Sequence, residues 1–253
     1  MSANLEISLE DRVLRVALNR PERRNALSLA LCRELAETLE GAEADPQVGA
    51  VLLAAQGPVF SAGMDLDEAL IGEADEHAAV HERIFTLGSR LALPIVAAVG
   101  GPARGGGLGL VANAHVVLAG QASTFGLTEI RLGMWPFVVF RAVALAVGER
   151  RALELSLTGR IFGTQEALAW GLAHEVVPAF ELEDRAWQIA SGIAHASRDA
   201  IRRGMAFVNE SRGLDAAAQG RLAAQARKPV FEGPDFREGV TAFREKRPPR
   251  WSI

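Results

Sequence analysis

Two stretches of the chain hold the residue types needed for proton transfer beside a polarised oxygen. The first runs from Pro94 to Gly133, PIVAAVGGPARGGGLGLVANAHVVLAGQASTFGLTEIRLG. Its apolar start, Ile95 to Val99, reads as a buried strand, and Gly100, Gly101, Gly105, Gly106 and Gly107 follow. Glycines between a strand and a helix let backbone N–H groups face a ligand with no side chain in the way. The helix expected over Leu108 to Ala114 adds the positive end of its dipole. A strand, Val116 to Ala119, comes next, and the stretch ends in a loop with a carboxylate, Glu129. These parts suit an anionic oxygen with a base nearby. The second stretch is Phe60 to Leu66, FSAGMDL, a small-residue turn after an apolar run. Gly63 allows close backbone approach there, and the Met64 N–H is an exposed donor. An oxyanion hole needs such a second donor from elsewhere in the chain.

Other readings of the same residues exist. The glycine run also suits a tight turn with a structural Glu. Gly107, Gly109 and Ala112 fit the dinucleotide pattern G-x-G-x-x-A, with Glu129 in place of the ribose acid. The strand, however, ends near Val99, several residues before that pattern, and Glu129 lies well past the next strand. No Lys follows the glycines, which excludes a P-loop. His77 and His81 are four apart on a helix and form a possible metal pair, but no third ligand is in reach, and a solvated face is the simpler expectation. His115 is expected to cap a helix C-terminus. His174 and His195 have no partner pattern, and Asp65 is expected to orient its loop. Cys32 sits on an apolar helical face and reads as a buried spectator.

The elements that must position these residues follow from periodicity. Leu5, Ile7, Leu9 and then Leu14, Val16, Leu18 alternate with polar residues around Glu10-Asp11, which predicts a hairpin. Ser28 to Gly41 is an amphipathic helix with Leu31, Leu35 and Leu39 on one face. Val48 to Ala55 is a buried strand, and His77 to Leu93 a longer helix. Phe137 to Val147, Ala152 to Leu157 and Thr164 to Trp170 read as helices, and Glu175 to Pro178 as a short strand. Beyond Pro178 only helices are expected: Leu182 to Ala196, Asp199 to Ser211, Asp215 to Ala226 and Pro234 to Lys246. The pattern changes from mixed α/β to all-α near residue 190, which divides the chain into 1–190 and 191–253.

Composition narrows the function. A net charge of −4 over 253 residues gives no global basic surface, so no nucleic-acid partner is expected. No apolar run reaches 18 residues, so no membrane span is expected. A single cysteine excludes an internal disulfide, and Glu6, Glu10 and Asp11 interrupt any signal-like run; a cytoplasmic location is expected. The basic cluster Arg244 to Arg250 reads as a solvated tail.

Taken together, the motifs resemble the crotonase superfamily, the enoyl-CoA hydratase/isomerase family. NRPERRNALS, FSAGMDL, LPIVAAVGGPARGGG, FGLTEIRLG, LTGRIFGTQEALAWGLAHEVVP and DFREGVTAFREKRPPRW match its segments in order over nearly the whole chain. The resemblance implies an α/β fold, a spiral of ββα turns with a C-terminal helical trimerisation region, so 1–190 becomes the acyl-CoA-binding catalytic core and 191–253 the oligomerisation region. It implies a homotrimer or a dimer of trimers. It implies an acyl-coenzyme A thioester as substrate, with coenzyme A as part of the substrate and no separate cofactor or metal. The oxyanion donors carry over as the N–H groups of Met64 and Gly106, and the acid or base as Glu129. Arg24, Asn25 and Ala26 would contact the nucleotide end of coenzyme A, Ala62, Asp65, Leu66 and Gly105 would line the substrate loops, and Lys246 would reach a phosphate, across a subunit boundary.

The chain departs from that pattern at three places. Hydratases of the family carry a second glutamate two residues after the glycine triplet, and here that position is Gly109. Paired carboxylates suit addition of water, whereas one suffices to shift a double bond. The expected activity is therefore Δ3–Δ2 enoyl-CoA isomerisation, with hydration or a catalytically weak acyl-CoA-binding role as alternatives. Asp67 and Glu68 are candidates for the missing carboxylate. Arg104 stands before the triplet and is expected to face solvent or the acyl pocket. Trp135-Pro136-Phe137 replaces a glycine-rich turn and is expected either to reshape the acyl pocket or to join the core.

Overall fold

The computed structural model describes residues 4–71 and 73–251. Its main sheet is built on the runs with the strongest strand signal. The alternating segments form the antiparallel pair β1 (Leu5–Glu10) and β2 (Val13–Leu18), joined through Asp11 and Arg12, both at positive φ. β2 pairs in parallel with β3 (Ala50–Ala55), and β3 with β4 (Ile95–Val99). β3 and β4 are apolar throughout because both faces of the sheet are covered. The chain then makes a two-residue strand, β5 (Ala103–Arg104), returns to the main sheet as β6 (Val116–Gly120), and leaves again as β7 (Thr124–Gly126). β8 (Phe162–Gly163) joins β5 and β7 in a three-stranded sheet, and β9 (Glu175–Val177) closes the main sheet in the order β1-β2-β3-β4-β6-β9. Strands β4 and β6 thus each feed a short strand of the second sheet and then a helix, which is a ββα repeat.

Helices cover both faces. α1 (Leu29–Ala44) is capped by Ser28, whose hydroxyl accepts from the Leu31 N–H, and it buries Leu31, Leu35 and Leu39, each worth about 1.5–3 kcal/mol. It packs on one face of the sheet with α3 (Ala74–Thr86), reached through the single turn α2 (Leu66–Ala69), and with α4 (Gly106–Asn113) and α5 (Phe137–Val147). α6 (Glu149–Thr158) and α7 (Thr164–Ala169) follow. The other face is covered by α8 (Leu182–Ala194), whose Leu182, Ala186, Ala190 and Ala194 pack against Val13, Leu52, Val96 and Leu118. Residue 190 lies inside this helix, and the helices beyond it are α9 (Arg198–Ser211), α10 (Ala216–Glu232) and α11 (Pro234–Glu245).

Several expectations need correction. β5, β7 and β8 are too short for any alternation to register. α4 begins at Gly106, not Leu108, because the first turn of a helix can start directly from the glycine turn. The helix expected over His77 to Leu93 starts at Ala74 and breaks at Thr86 into a 3₁₀ turn, Leu87–Ser89. α10 runs through Pro229 to Glu232 instead of stopping at Ala226. His115 does not cap α4: its Nδ1 accepts from the Ile95 N–H and its Nε2 faces the Gly88 carbonyl. His174 repeats the device one strand later, accepting from the Val117 N–H, so it does have a partner. The C-terminal basic cluster is tied down, since Arg247 pairs with Glu238 and Glu245 at 2.6 Å and the Trp251 indole donates to the His195 carbonyl. Among the described residues no helix is long and apolar enough to cross a membrane.

Candidate active site

The segment after β2 organises the first donor loop. Arg24 and Asn25 both adopt left-handed φ, near +53° and +52°. Asn25 is fully buried; its side-chain amide accepts from the Arg20 N–H and donates to the carbonyls of Gln56 and Val59. Its own carbonyl accepts from the Ser61 hydroxyl, which in turn accepts from the Gly63 N–H. The Ala62 N–H donates to the Arg24 carbonyl, and the Leu27 and Asp65 N–H groups complete a short parallel bridge across to FSAGMDL. Arg20, which the sequence reading passed over, clamps the two segments: it donates to the Ala26 carbonyl at 2.7 Å and to Asp65 at 3.2 Å. Asp65 therefore orients its loop, as expected. Leu66 opens α2 and is half exposed.

The glycine turn meets that loop at close range. Gly63, at φ +91°, packs so tightly that a Cβ on it would lie 2.9 Å from the Arg104 carbonyl oxygen and 3.6 Å from the Gly106 nitrogen. A Cβ on Gly107 would meet Ser61 at 2.8 Å. Neighbouring N–H groups have acceptors: Gly63 has Ser61, Asp65 has Leu27, and Gly105 has Gly126. Among the described residues the N–H groups of Met64 and Gly106 have none. Two free donors therefore sit on adjoining backbone segments, and Gly106 is the first residue of α4.

Glu129 arrives from the other side, at the start of a 3₁₀ turn, Glu129–Leu132, after β7. Gly105 sits at φ +47°, ψ −117°, and a Cβ there would lie 2.9 Å from Glu129 Oε1. Only glycine leaves room for this carboxylate beside the turn. Glu129 Oε2 is enclosed and has no hydrogen-bond partner. Burial raises the carboxyl above its ordinary value, with only its own backbone N–H opposing. An enclosed carboxyl with one unpartnered oxygen, beside the turn that carries the Gly106 donor, can take a proton from a carbon next to a polarised carbonyl and give it back.

The position two residues after the triplet is closed. Gly109 is buried, and a Cβ on it would meet Val139 Cγ1 at 2.4 Å and Phe85 Cδ1 at 3.0 Å. The other acidic candidates are engaged elsewhere. Glu68 accepts from the Leu29 N–H and caps α1, and Asp67 pairs with Arg23 at the surface. Arg104 is half-buried, and its guanidinium donates to the Thr124 carbonyl and hydroxyl at 2.7 Å, which ties β5 to β7. Of the three bulky residues, Trp135 packs against Phe140 with the rings tilted, Pro136 is buried, and Phe137 is 80% exposed, so it is not a core residue. Cys32 is buried, with its thiol pushed up to about 12 by burial and by the Glu68 charge.

The remaining expected residues lie at the edge of this arrangement. Arg24 is exposed, and its backbone, not its side chain, holds the donor loop. Lys246 is exposed and ends α11 in a left-handed conformation; no hydrogen bond or ion pair among the described residues joins it to the loops. His77 and His81 do not form a solvated face. His81 packs on Phe85, and both His77 nitrogens are enclosed. Among the described residues no group of three His, Cys, Asp or Glu is placed to hold a metal ion.

Residues 8–252 match the family model described as enoyl-CoA hydratase/isomerase. The chain belongs to this family. It is 37% identical over 242 residues to a putative enoyl-CoA hydratase of Thermus thermophilus, covering 93% of this chain and 96% of that one. It is 32% identical over 246 residues to the mevalonyl-coenzyme A hydratase sidH of Aspergillus fumigatus, covering 94% and 91%. Among solved structures it superimposes on an enoyl-CoA hydratase of Mycobacterium smegmatis with a TM-score of 0.93 at 30% identity, over 99% of both chains. Human enoyl-CoA hydratase domain-containing protein 3 gives 0.93 at 31% identity, over 98% of this chain and 100% of that one. The fold is the crotonase fold, and the protein is an enzyme of the hydratase/isomerase type.

Proposed function

We propose that the protein is a one-carboxylate enoyl-CoA isomerase that converts 3-enoyl-CoA to 2-enoyl-CoA. The observation that carries this reading is Gly109 sealed by Val139 and Phe85 while Glu129 stands enclosed beside Gly105. The thioester oxygen lies between the N–H groups of Met64 and Gly106. As a proton leaves C2, charge moves onto that oxygen, and each donor is worth about 3–4 kcal/mol in the transition state. Glu129 takes the C2 proton, and the double bond shifts from C3–C4 to C2–C3 as the same carboxyl returns a proton to C4 on the same face. The raised proton affinity of Glu129 suits a group that must both take and return a proton. Water addition needs one group to activate water while another delivers a proton, and the second group has no place here.

Arg24 and Ala26 lie where the nucleotide end of the substrate would pass, and Ala62, Asp65, Leu66 and Gly105 form the walls of the thioester site. Residues 1–190 are the catalytic core in this reading, and 191–253 join subunits into a trimer or a pair of trimers, so that Lys246 reaches a neighbouring subunit's substrate. Coenzyme A enters as part of the substrate, with no separate cofactor. Hydration of 2-enoyl-CoA is the second reading, favoured by the names of the relatives above. Spectroscopic rates on trans-3-hexenoyl-CoA and crotonyl-CoA separate the two. Isomerisation without comparable hydration is expected; syn hydration of crotonyl-CoA at a rate equal to or above isomerisation would overturn the reading.

A further inference from the structure

The two free donors are tied to each other by a residue that belongs to neither of their segments. Upstream of the donors the segments lie side by side. Ser61 and Ala103 form a parallel bridge, in which the Ser61 N–H donates to the Pro102 carbonyl at 3.1 Å and the Arg104 N–H to the Ser61 carbonyl at 3.0 Å. Each bridge residue stands three positions before a donor, Met64 or Gly106. Both segments then turn through glycines at positive φ, Gly63 at +91° and Gly105 at +47°. Past Arg104 no backbone hydrogen bond joins them among the described residues. Hydrogen bonding between the segments therefore does not reach as far as the donors.

Leu27 reaches both donors. Its N–H donates to the Gly63 carbonyl at 2.8 Å and its carbonyl accepts from the Asp65 N–H at 3.1 Å, so its main chain grips the residues on either side of Met64. Its side chain is buried against the other donor: a Cβ on Gly106 would lie 2.9 Å from Leu27 Cδ1, with Phe85 Cζ at the same distance. Leu27 is itself anchored, because the next residue, Ser28, caps α1 and the Leu29 N–H donates to Glu68 at 2.8 Å. Two N–H groups stabilise one developing oxyanion only where both stand about 2.7–3.1 Å from it. A change of about 1 Å in their separation takes one of the two bonds out of range. We propose that Leu27 is a positioning residue: its main chain fixes the Met64 donor, its side chain braces Gly106, and together they set the spacing that one thioester oxygen requires. This deepens the acyl-CoA reading above and rests on it.

Side-chain variants cut one arm of this brace and leave the other, because the contacts to Gly63 and Asp65 are made by the main chain. Hexanoyl-CoA carrying carbon-13 at the thioester carbonyl is bound to the wild type, Leu27→Ala, Leu27→Met and the core control Leu35→Ala, and isotope-edited infrared difference spectra locate the carbonyl band. The ester is saturated, so the band depends on neither isomerisation nor hydration. The wild type is expected to lower the band relative to the free ester, and Leu27→Ala to lower it less. Leu27→Met, which keeps a side chain against Gly106, should recover most of the shift. On trans-3-hexenoyl-CoA, Leu27→Ala should lose about 10–100-fold in kcat, with KM changed less than about threefold. Leu35→Ala removes an equally buried leucine and should melt lower while keeping the wild-type band and kcat. A Leu27→Ala band at the wild-type position, or a band displaced as far in Leu35→Ala, overturns the inference and leaves the acyl-CoA reading standing. If the wild type binds the ester without lowering its band, the two-donor reading falls and the inference with it. Where Leu27→Ala does not fold, Leu27→Val, whose side chain reaches one carbon less than leucine, decides in its place.

Discussion

Replacing Gly109 by alanine should reveal how firmly the second-carboxylate position is closed. The new Cβ would stand 2.4 Å from Val139 Cγ1 and 3.0 Å from Val139 Cβ and Phe85 Cδ1. Val139 is 2% exposed and β-branched in a helix, so it has one favoured rotamer and little room to turn aside. Overpacking of this kind costs about 1–3 kcal/mol, and the helical gain of Gly→Ala returns up to about 1 kcal/mol. A net loss of roughly 1–2 kcal/mol is expected for Gly109→Ala. Val139→Ala alone removes two methyl groups and should cost about 2 kcal/mol from transfer and cavity terms together. In the double variant the methyl added at position 109 occupies the space that Val139 Cγ1 left. The double should therefore be more stable than the sum of the singles by at least about 1 kcal/mol, read from urea denaturation. Additivity within about 0.5 kcal/mol, or a stabilised Gly109→Ala, would show that Val139 and Phe85 do not close this position. Position 109 would then accept a side chain, and the absence of a glutamate there would have no packing basis.

Glu129→Gln should lower isomerase turnover by about 10²–10⁴-fold yet raise thermal stability at neutral pH. The folded carboxyl has a raised proton affinity, so its favourable contribution is full below the ordinary Glu value and is lost as pH rises through the folded one. The melting difference between variant and wild type should accordingly be positive at pH 8 and shrink towards pH 4; a difference independent of pH contradicts the burial of that carboxyl. Asn25→Ala leaves the Gln56 and Val59 carbonyls and the Arg20 N–H without partners and should cost about 2–4 kcal/mol in urea unfolding. Arg20→Met releases the Ala26 carbonyl and Asp65 from their clamp, and the displaced Met64 donor should lower kcat on the order of 10–100-fold; an unchanged kcat would show that the loop holds its place without it.

The motifs around the site were legible because each is local. FSAGMDL and the glycine triplet announce backbone that must approach a ligand, and the apolar runs of β3 and β4 announce a sheet covered on both faces. What stayed hidden depends on residues distant in sequence. The closure of position 109 comes from Val139 and Phe85, which no spacing rule connects to it. The fate of Arg104 depends on Thr124, and those of His115 and His174 on N–H groups at the starts of β4 and β6. β5, β7 and β8 have two or three residues each, too few for a period to show, yet β5 leads into the glycine turn and β7 towards Glu129. Asn25 and Arg20 stand in NRPERRNALS in plain view, but their role as clamps needed the positive φ values and the partners across the loop.

In the proposed mechanism Glu129 alone, beside the Met64 and Gly106 N–H groups, forms the thioester enolate. Hydrogen–deuterium exchange at C2 of hexanoyl-CoA in D₂O, followed by NMR, tests that claim with a substrate that has no double bond to shift or hydrate. The wild type is expected to exchange the C2 proton, and Glu129→Gln to bind the ester but not exchange it. Exchange that persists in Glu129→Gln, or a wild type that binds hexanoyl-CoA without exchanging it, would mean that Glu129 does not form the enolate.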